Sequence, residues 1–417
     1  MYLCNYFHPL ILKLQLNKII ISSALLLLAT FNLFGKYAIP EDSTALSLVQ
    51  RGYPIENSID IYVTNSDLTK IGITEGEKVK LSDAIVVINH DTLPCEEIKT
   101  RGRSSLLFKR KSLAFNLGKN AHFRHGEKKS KMNKFYALSL SMDQNYCSNR
   151  LAFEMMERIN LMHLFYSFGE ININGKSQGI CMIIERPEDW ALRKMNSPLM
   201  IRRGYNESID KISYKKTGDK IKNKKYVDYY RLIYKSLKKY EGEELYKRLS
   251  EWIDIDEYMR WMAFNYLVKN GDYTDEVFFY IDPESKKFRI MPWDYDDLFL
   301  PMPHEGWEKS KKVLGNKLIF SSEDLLDVKI ASDPYLYKLY LGELKTILIK
   351  FSDDTLREIF ENTYAELYPY YINTNVIEMS RFDSHKESNL GILEVYLRKL
   401  YDQLTTIYSV LRFTIKD

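Results

Sequence analysis

Asp272, Asp275, Asp294, Asp296 and Asp297 flank two short runs, Val277 to Ile281 and Lys287 to Met291. Both runs are rich in aromatic and branched residues, and Asp282-Pro283-Glu284-Ser285 between them carries turn chemistry. The pattern predicts a hairpin. Closing it about Pro283 brings its open ends together, so acids that are distant in sequence become neighbours in space. Carboxylates that close either share protons or bind a hard cation such as Mg²⁺, which takes oxygen ligands and commonly brings substrate phosphates with it. A solvated acidic rim would need no ion. Against that reading, Ile290 to Trp293 is apolar up to Asp294, which places this acid at a buried strand end, where catalytic groups are often held.

The rest of the chain must supply the frame for that mouth. Its 417 residues, 45% hydrophobic and 28% charged, suffice for one large domain or two lobes with a real core. A formal charge of +4 is near balance, and no block suggests a nucleic-acid groove; Lys128 to Lys134 reads as a short basic loop. Tyrosine is abundant, with 31 residues, which fits packing better than a platform for stacking bases. Lys13 and Lys18 precede an apolar run over residues 19–34, shorter than the about 20 residues a membrane span requires, so residues 1–40 read as an export signal or an N-terminal membrane anchor. Cys4 lies in the leader, and the remaining Cys95, Cys147 and Cys181 lack metal-ligand spacing and an even count, so they read as small core residues.

From residue 41 to 186 the pattern is mostly strands: Ser58 to Thr64, Ala84 to Asn89, Cys95 to Arg101, Leu113 to Leu117 and Phe135 to Leu140. A helix over Asn149 to Ile159 interrupts them. Phe168 to Asn172 and Gly179 to Ile184 form a hairpin about Asn174-Gly175. From residue 187 to 417 the chain reads as helical, over Lys224 to Tyr240, Glu243 to Trp252, Asp256 to Val268, Tyr335 to Phe351, Thr355 to Leu367 and Leu390 to Leu411. Pro301 to Ile319 reads as a long functional loop, and His304-Glu305 within it lacks metal-ligand spacing, so it is a substrate-loop feature at most. The predicted fold class is α+β, a β-rich first lobe followed by a mainly helical second lobe.

Two features of the first lobe could carry chemistry. Arg101-Gly102-Arg103-Ser104-Ser105 offers backbone N–H groups and hydroxyls, and Lys111 heads the next strand, within reach of phosphate oxygens. An ordinary basic turn is the plainer alternative, since neither a Walker loop nor GxGxxG is present. In Glu185-Arg186-Pro187-Glu188-Asp189 a strand gives way to a helix; capping explains all of it except Glu185.

NGDYTDEVFFY followed by FRIMPWDYDD resembles the signature of the CotH (spore-coat protein H) family of atypical protein kinases. RGRSSLLFKRKSLAFNL, FYALSLSMDQNYCSNRLAFEMM, INGKSQGICMIIERPED and NKLIFSSEDLLDVKIASDPYLYKLY are similar, in order, to further elements of that family. The resemblance implies a bilobal kinase-like fold and transfer of the ATP γ-phosphoryl group to Ser or Thr of an exported or surface protein, with Mg²⁺ or Mn²⁺. By position it implies Asp272 as the catalytic acid-base group, and Asp294 with Asp296 as metal holders. It likewise puts Arg101, Ser104 and Lys111 on the phosphate side, and Glu185 near the lobe junction. Arg103, Leu106, Ser148 and Glu276 depart from the family pattern, the last where many members have an Asn able to hold a second cation. A monomer is expected, outside the cytoplasm, secreted or tethered through residues 19–34. Two alternatives stay open: an inactive pseudokinase or surface-assembly protein, and a hydrolase whose carboxylate pair, about 5–9.5 Å apart, flanks a sugar.

Overall fold

The computed structural model describes residues 46–50, 54–67, 69, 78–81, 83–205, 207–216, 220–385 and 387–415. The leader over residues 1–40, with its apolar run at 19–34, lies outside the described residues. No helix among the described residues is long and apolar enough to cross a membrane.

Alternating apolar residues build the first half. Strands β1 (Ser58–Tyr62), β2 (Lys80–Leu81), β3 (Ile85–Ile88), β4 (Asp91–Leu93) and β5 (Cys95–Arg101) come first. They are followed by β6 (Ser112–His125), β7 (Lys128–Leu138), β8 (Tyr166–Ile173) and β9 (Lys176–Glu185). Together they form a nine-stranded sheet in the order β2-β5-β6-β7-β9-β8-β1-β3-β4. One face carries its own core of Ile59, Ile98, Leu113, Phe115, Phe135 and Ile183. The alternate residues of β7 to β9, among them Tyr166, Met182 and Ile184, join the core of the helical half, so one apolar cluster runs through both halves. The β8–β9 turn is Asn174-Gly175, both with positive φ, as a tight two-residue hairpin demands.

Lys128 to Lys134, read as a basic loop, is instead the first part of β7, with Lys128 to Met132 paired to Ala121 to His125 of β6 and Lys134 to Asn116. Lys128, Lys129 and Lys131 sit at exposed positions while Met132 is buried, so lysine stems cover the sheet with their ammonium groups in water.

The second half is helical around a small sheet. Helix α1 (Ser148–Arg158) belongs to the first half; α2 (Lys220–Leu237), α3 (Gly242–Leu249) and α4 (Ile255–Val268) follow. Next come α5 (Trp307–Leu314), α6 (Leu325–Ser332), α7 (Pro334–Lys350), α8 (Asp353–Tyr371) and α9 (Leu390–Thr414). The start signals behave as their chemistry requires: the Asp254 carboxylate accepts from Glu257 N at 3.0 Å, and Asp333 from Tyr335 N at 3.0 Å. Within this mainly helical half the structure adds two strands that the sequence pattern did not give, β10 (Leu199–Arg203) and β11 (Ile209–Tyr214). The two pair with each other, and β10 joins the predicted hairpin, β12 (Val277–Ile281) and β13 (Phe288–Pro292), in the order β11-β10-β12-β13. A five-residue strand carries little local signal; β10 is held by β11 on one side and by the fully buried β12 on the other. Pro301 to Ile319 is likewise not one loop, since α5 occupies its centre, and α6 adds a helix that the sequence reading lacked.

Candidate active site

Strand pairing fixes the mouth of the β12–β13 hairpin. Val277 faces Pro292, so Asp275-Glu276 leaves one strand where Trp293-Asp294 leaves the other. Trp293 N donates to the Glu276 carbonyl at 3.0 Å, which closes the mouth. Asp294 then takes a left-handed backbone with φ of 55°, a conformation that Asp tolerates better than most residues. The next peptide is tied to the first lobe: Tyr295 N donates to Asn149 Oδ1 at 2.8 Å, and Asn149 Nδ2 donates to Asp143 at 2.9 Å. Asp143, at the entrance to α1, accepts from Ser148 N and Asn149 N as well. Burial pushes its carboxyl up to about 6.

The other side of the mouth hangs from the end of α4. Lys269 takes a left-handed φ of 49°, and Asn270, fully buried, hydrogen-bonds Asn265 and receives Asp272 N at 3.1 Å. Gly271 N donates to the Asp297 carbonyl at 3.1 Å, which draws the segments before and after the hairpin together. A β-carbon on Gly271 would fall 2.4 Å from Leu300 Cδ1 and 3.0 Å from the His304 ring. Gly271→Ala is therefore expected to push both side chains outward. It should cost about 1–3 kcal/mol, read as a lower Tm, with a fall in activity from the displaced His304.

His304 is the residue the sequence reading undervalued. Its Nδ1 lies 3.4 Å from Asp272 Oδ1 and its Nε2 lies 3.1 Å from Asp297 Oδ2. Asp272, Asp297 and His304 thus each present a ligand atom within 4.8 Å of the others. Neighbouring residues in the long segment after the hairpin gave no spacing signal, because the imidazole reaches the acids through tertiary folding alone.

The mouth is electrostatically loaded. Burial, then Asp275, raises the Asp272 carboxyl to about 7, with His304 opposing. Burial and Asp294 raise Asp296 and Glu276 each to about 9. Asp294 is pushed up by the protein atoms packed round it, although its side chain remains open to solvent, and Arg101 and Arg202 pull it down. The expectation that Asp294 leaves a buried strand holds for Met291 to Trp293, but the acid itself is exposed in the mouth. Arg202 binds Glu276 Oε1 at 2.6 Å, while Glu276 Oε2 is buried with no hydrogen-bond partner. An orphaned carboxylate oxygen among acids that prefer to hold protons suits a cation with hard oxygen ligands.

The structure brings Arg101, Asp272, Asp294 and Asp296 to this mouth. The Arg101 guanidinium stacks 4.3 Å over the Tyr136 ring and 5.8 Å from that of Trp293, beside Asp294. Ser104 is exposed at the start of a short 3₁₀ turn, Ser104–Leu107. Gly102 precedes it with φ of 112°, and a side chain there would collide with Ser105. Lys111 is placed differently. Its ammonium donates to the Leu106 carbonyl of that turn at 2.5 Å, and it lines a small cavity with Leu113, Ile171, Ile173 and Cys181, on the core side of the sheet. Glu185 is buried at the end of β9, with its carboxylate 3.2 Å from the Lys194 ammonium.

No curated protein matches the chain. Among solved structures, the Helicobacter pylori proinflammatory kinase CtkA aligns at 11% identity over 67% of this chain and 94% of its own, with a TM-score of 0.30. The family described as CotH kinase protein matches residues 98–400, the stretch that holds β6 to β13 and every acid of the mouth. The chain belongs to the CotH kinase family.

Proposed function

We propose that this chain transfers the γ-phosphoryl group of ATP to Ser or Thr hydroxyls of a protein. The observation that carries the reading is the hairpin mouth, where Asp272 and the Asp294–Asp296 pair meet from opposite ends of one β-turn-β unit beside Arg101. Phosphoryl transfer asks little covalent work of a protein; it needs positioning and charge neutralisation around an in-line displacement. Asp272 orients the acceptor hydroxyl and takes its proton. His304, held by Asp297, keeps the Asp272 carboxylate turned into the mouth. Asp294 and Asp296, with the free oxygen of Glu276, would hold Mg²⁺ or Mn²⁺. Such an ion, when bound, neutralises charge on the nucleotide phosphates.

For the phosphate-side cation we favour Arg101 over Lys111, because Arg101 stands beside Asp294 while Lys111 supports the turn from the core side. The exposure of Ser104 in that turn supports a role for its hydroxyl as a donor to a phosphate oxygen. ATP-dependent transfer of labelled phosphate by the full chain, with Mg²⁺ or Mn²⁺, tests the assignment. Arg101→Ala should raise KM for ATP by about tenfold or more, as loss of one charge-assisted contact does. Lys111→Ala should act mainly through a lower Tm. Equal and unchanged KM values in both variants would remove Arg101 from the nucleotide. Full activity with every mouth acid replaced would remove the kinase itself. The apolar run over residues 19–34 supports export, with the kinase acting on secreted or surface proteins as a monomer, released or tethered; fractionation of the native host cells tests that placement.

A further inference from the structure

Behind the mouth lies a buried charged cluster to which the mechanism above gives no part. Arg203, at the end of β10, is completely buried. Its Nε donates to the Thr274 carbonyl, its Nη1 donates to the Tyr258 hydroxyl, and Nη1 lies 3.5 Å from Asp324 Oδ1. The guanidinium also lies 5.4 Å from the Trp261 ring centre. Asp327, fully buried at the start of α6, accepts from the Tyr258 hydroxyl at 2.6 Å and from the Tyr273 hydroxyl at 2.9 Å.

Each of these contacts leads to a functional acid. Tyr273 and Thr274 are the two residues that follow Asp272, so one side of the mouth is clamped by both the hydroxyl on Asp327 and the carbonyl on Arg203. Thr274 Oγ1 adds a bond to Glu323 at 3.1 Å. On the other side, Trp261 Nε1 donates to the Tyr295 hydroxyl at 3.0 Å, and Tyr295 stands between Asp294 and Asp296. A buried ion cluster of this kind is weak evidence for stability, because its desolvation offsets its attraction. What it does supply is a fixed geometry. Burial raises Asp327 to about 7, with Arg203 opposing, so its hydrogen-bonding capacity is set by the cluster.

We infer that the Arg203–Asp327 cluster, holding the Thr274 carbonyl on Arg203 and the Tyr273 hydroxyl on Asp327, positions the segment that carries Asp272 and so sets where its carboxylate points. The inference rests on the kinase reading for its kinetic readout, and a structural readout stands apart from it. Tyr273→Phe removes one hydroxyl and keeps the ring packing; Arg203→Lys keeps the charge and loses the fork. In the full chain, each should lower kcat by about ten- to hundredfold, the cost of a small misplacement of a reacting group. For Tyr273→Phe, KM for ATP should stay within about twofold, since its hydroxyl lies on the Asp272 side of the mouth. A role in folding alone would lower Tm and leave kcat per folded molecule intact. Crystal structures of wild type and Tyr273→Phe should show the Asp272 carboxylate displaced from His304 in the variant. Should Arg203→Lys fail to fold, Tyr273→Phe decides. A folded Tyr273→Phe protein with unchanged kcat, or with Asp272 superimposed on wild type, overturns the inference. If wild type transfers no phosphate at all, the kinase reading falls, and the crystal comparison still settles the positioning claim.

Discussion

Asp272→Asn is expected to reduce phosphate transfer by about 10²- to 10⁴-fold, the contribution of a positioned general base, with KM for ATP little changed. The substitution keeps the shape and the hydrogen bond from Asp272 N to Asn270, and removes only the ability to take a proton. It also removes one charge from a mouth in which Asp275 and Asp297 already oppose Asp272. The variant should therefore melt at the same temperature as wild type or slightly higher when no divalent cation is added. A lost activity with an undiminished Tm is the signature of a functional acid held against its own stability. If Asp272→Asn transfers phosphate at a rate within about threefold of wild type, Asp272 is not the base.

The second large effect is a linkage between pH, divalent cation and stability. Asp272, Asp296 and Glu276 hold protons in the folded chain up to about 7, 9 and 9, well above the ordinary carboxylate range near 4. Between those limits the folded state binds more protons than the unfolded state, so ∂ΔG/∂pH is negative. The stabilisation is complete below the unfolded value near 4 and is lost as pH rises through 7 and then 9. Metal-free protein should thus lose Tm steadily between about pH 5 and pH 9. Mn²⁺ competes with these protons, so its affinity should rise over the same window and each ion bound should release protons, measurable by calorimetry in buffers of different ionisation enthalpy. Asp294→Asn should weaken Mn²⁺ binding by at least about tenfold. A Tm that rises with pH in the absence of metal, or a Mn²⁺ affinity that does not depend on pH, would contradict this account of the mouth.

The predicted strands of the first half and the predicted helices of the second recur in the structure with shifts of a few residues at most ends. The exceptions share a cause. Leu199–Arg203 is short and becomes a strand because it pairs with β11 on one side and with the buried β12 on the other. Lys128 to Lys131 looks like a loop by charge, yet it extends β7 because β6 offers it a partner. Local pattern reports what a segment prefers; pairing with a distant segment can override that preference.

The acidic hairpin was legible without any fold, because two runs rich in aromatic and branched residues about a proline-containing turn dictate which ends meet, and clustered carboxylates dictate what they can bind. Its supporting parts were not. His304, Arg202, Asn149 and the Arg203–Asp327 cluster reach the mouth from distant segments, and no spacing rule connects them to it. Lys111 shows the converse. Its position at a strand head suggested phosphate, and only the curl of the sheet and the turn above it show that its ammonium points to the Leu106 carbonyl. Sequence determined which chemistry the chain carries, since residue type and short-range period are local properties. Tertiary structure decided which cations and hydrogen bonds hold that chemistry in place, since electrostatic neighbours are set by distance in space and not by distance along the chain.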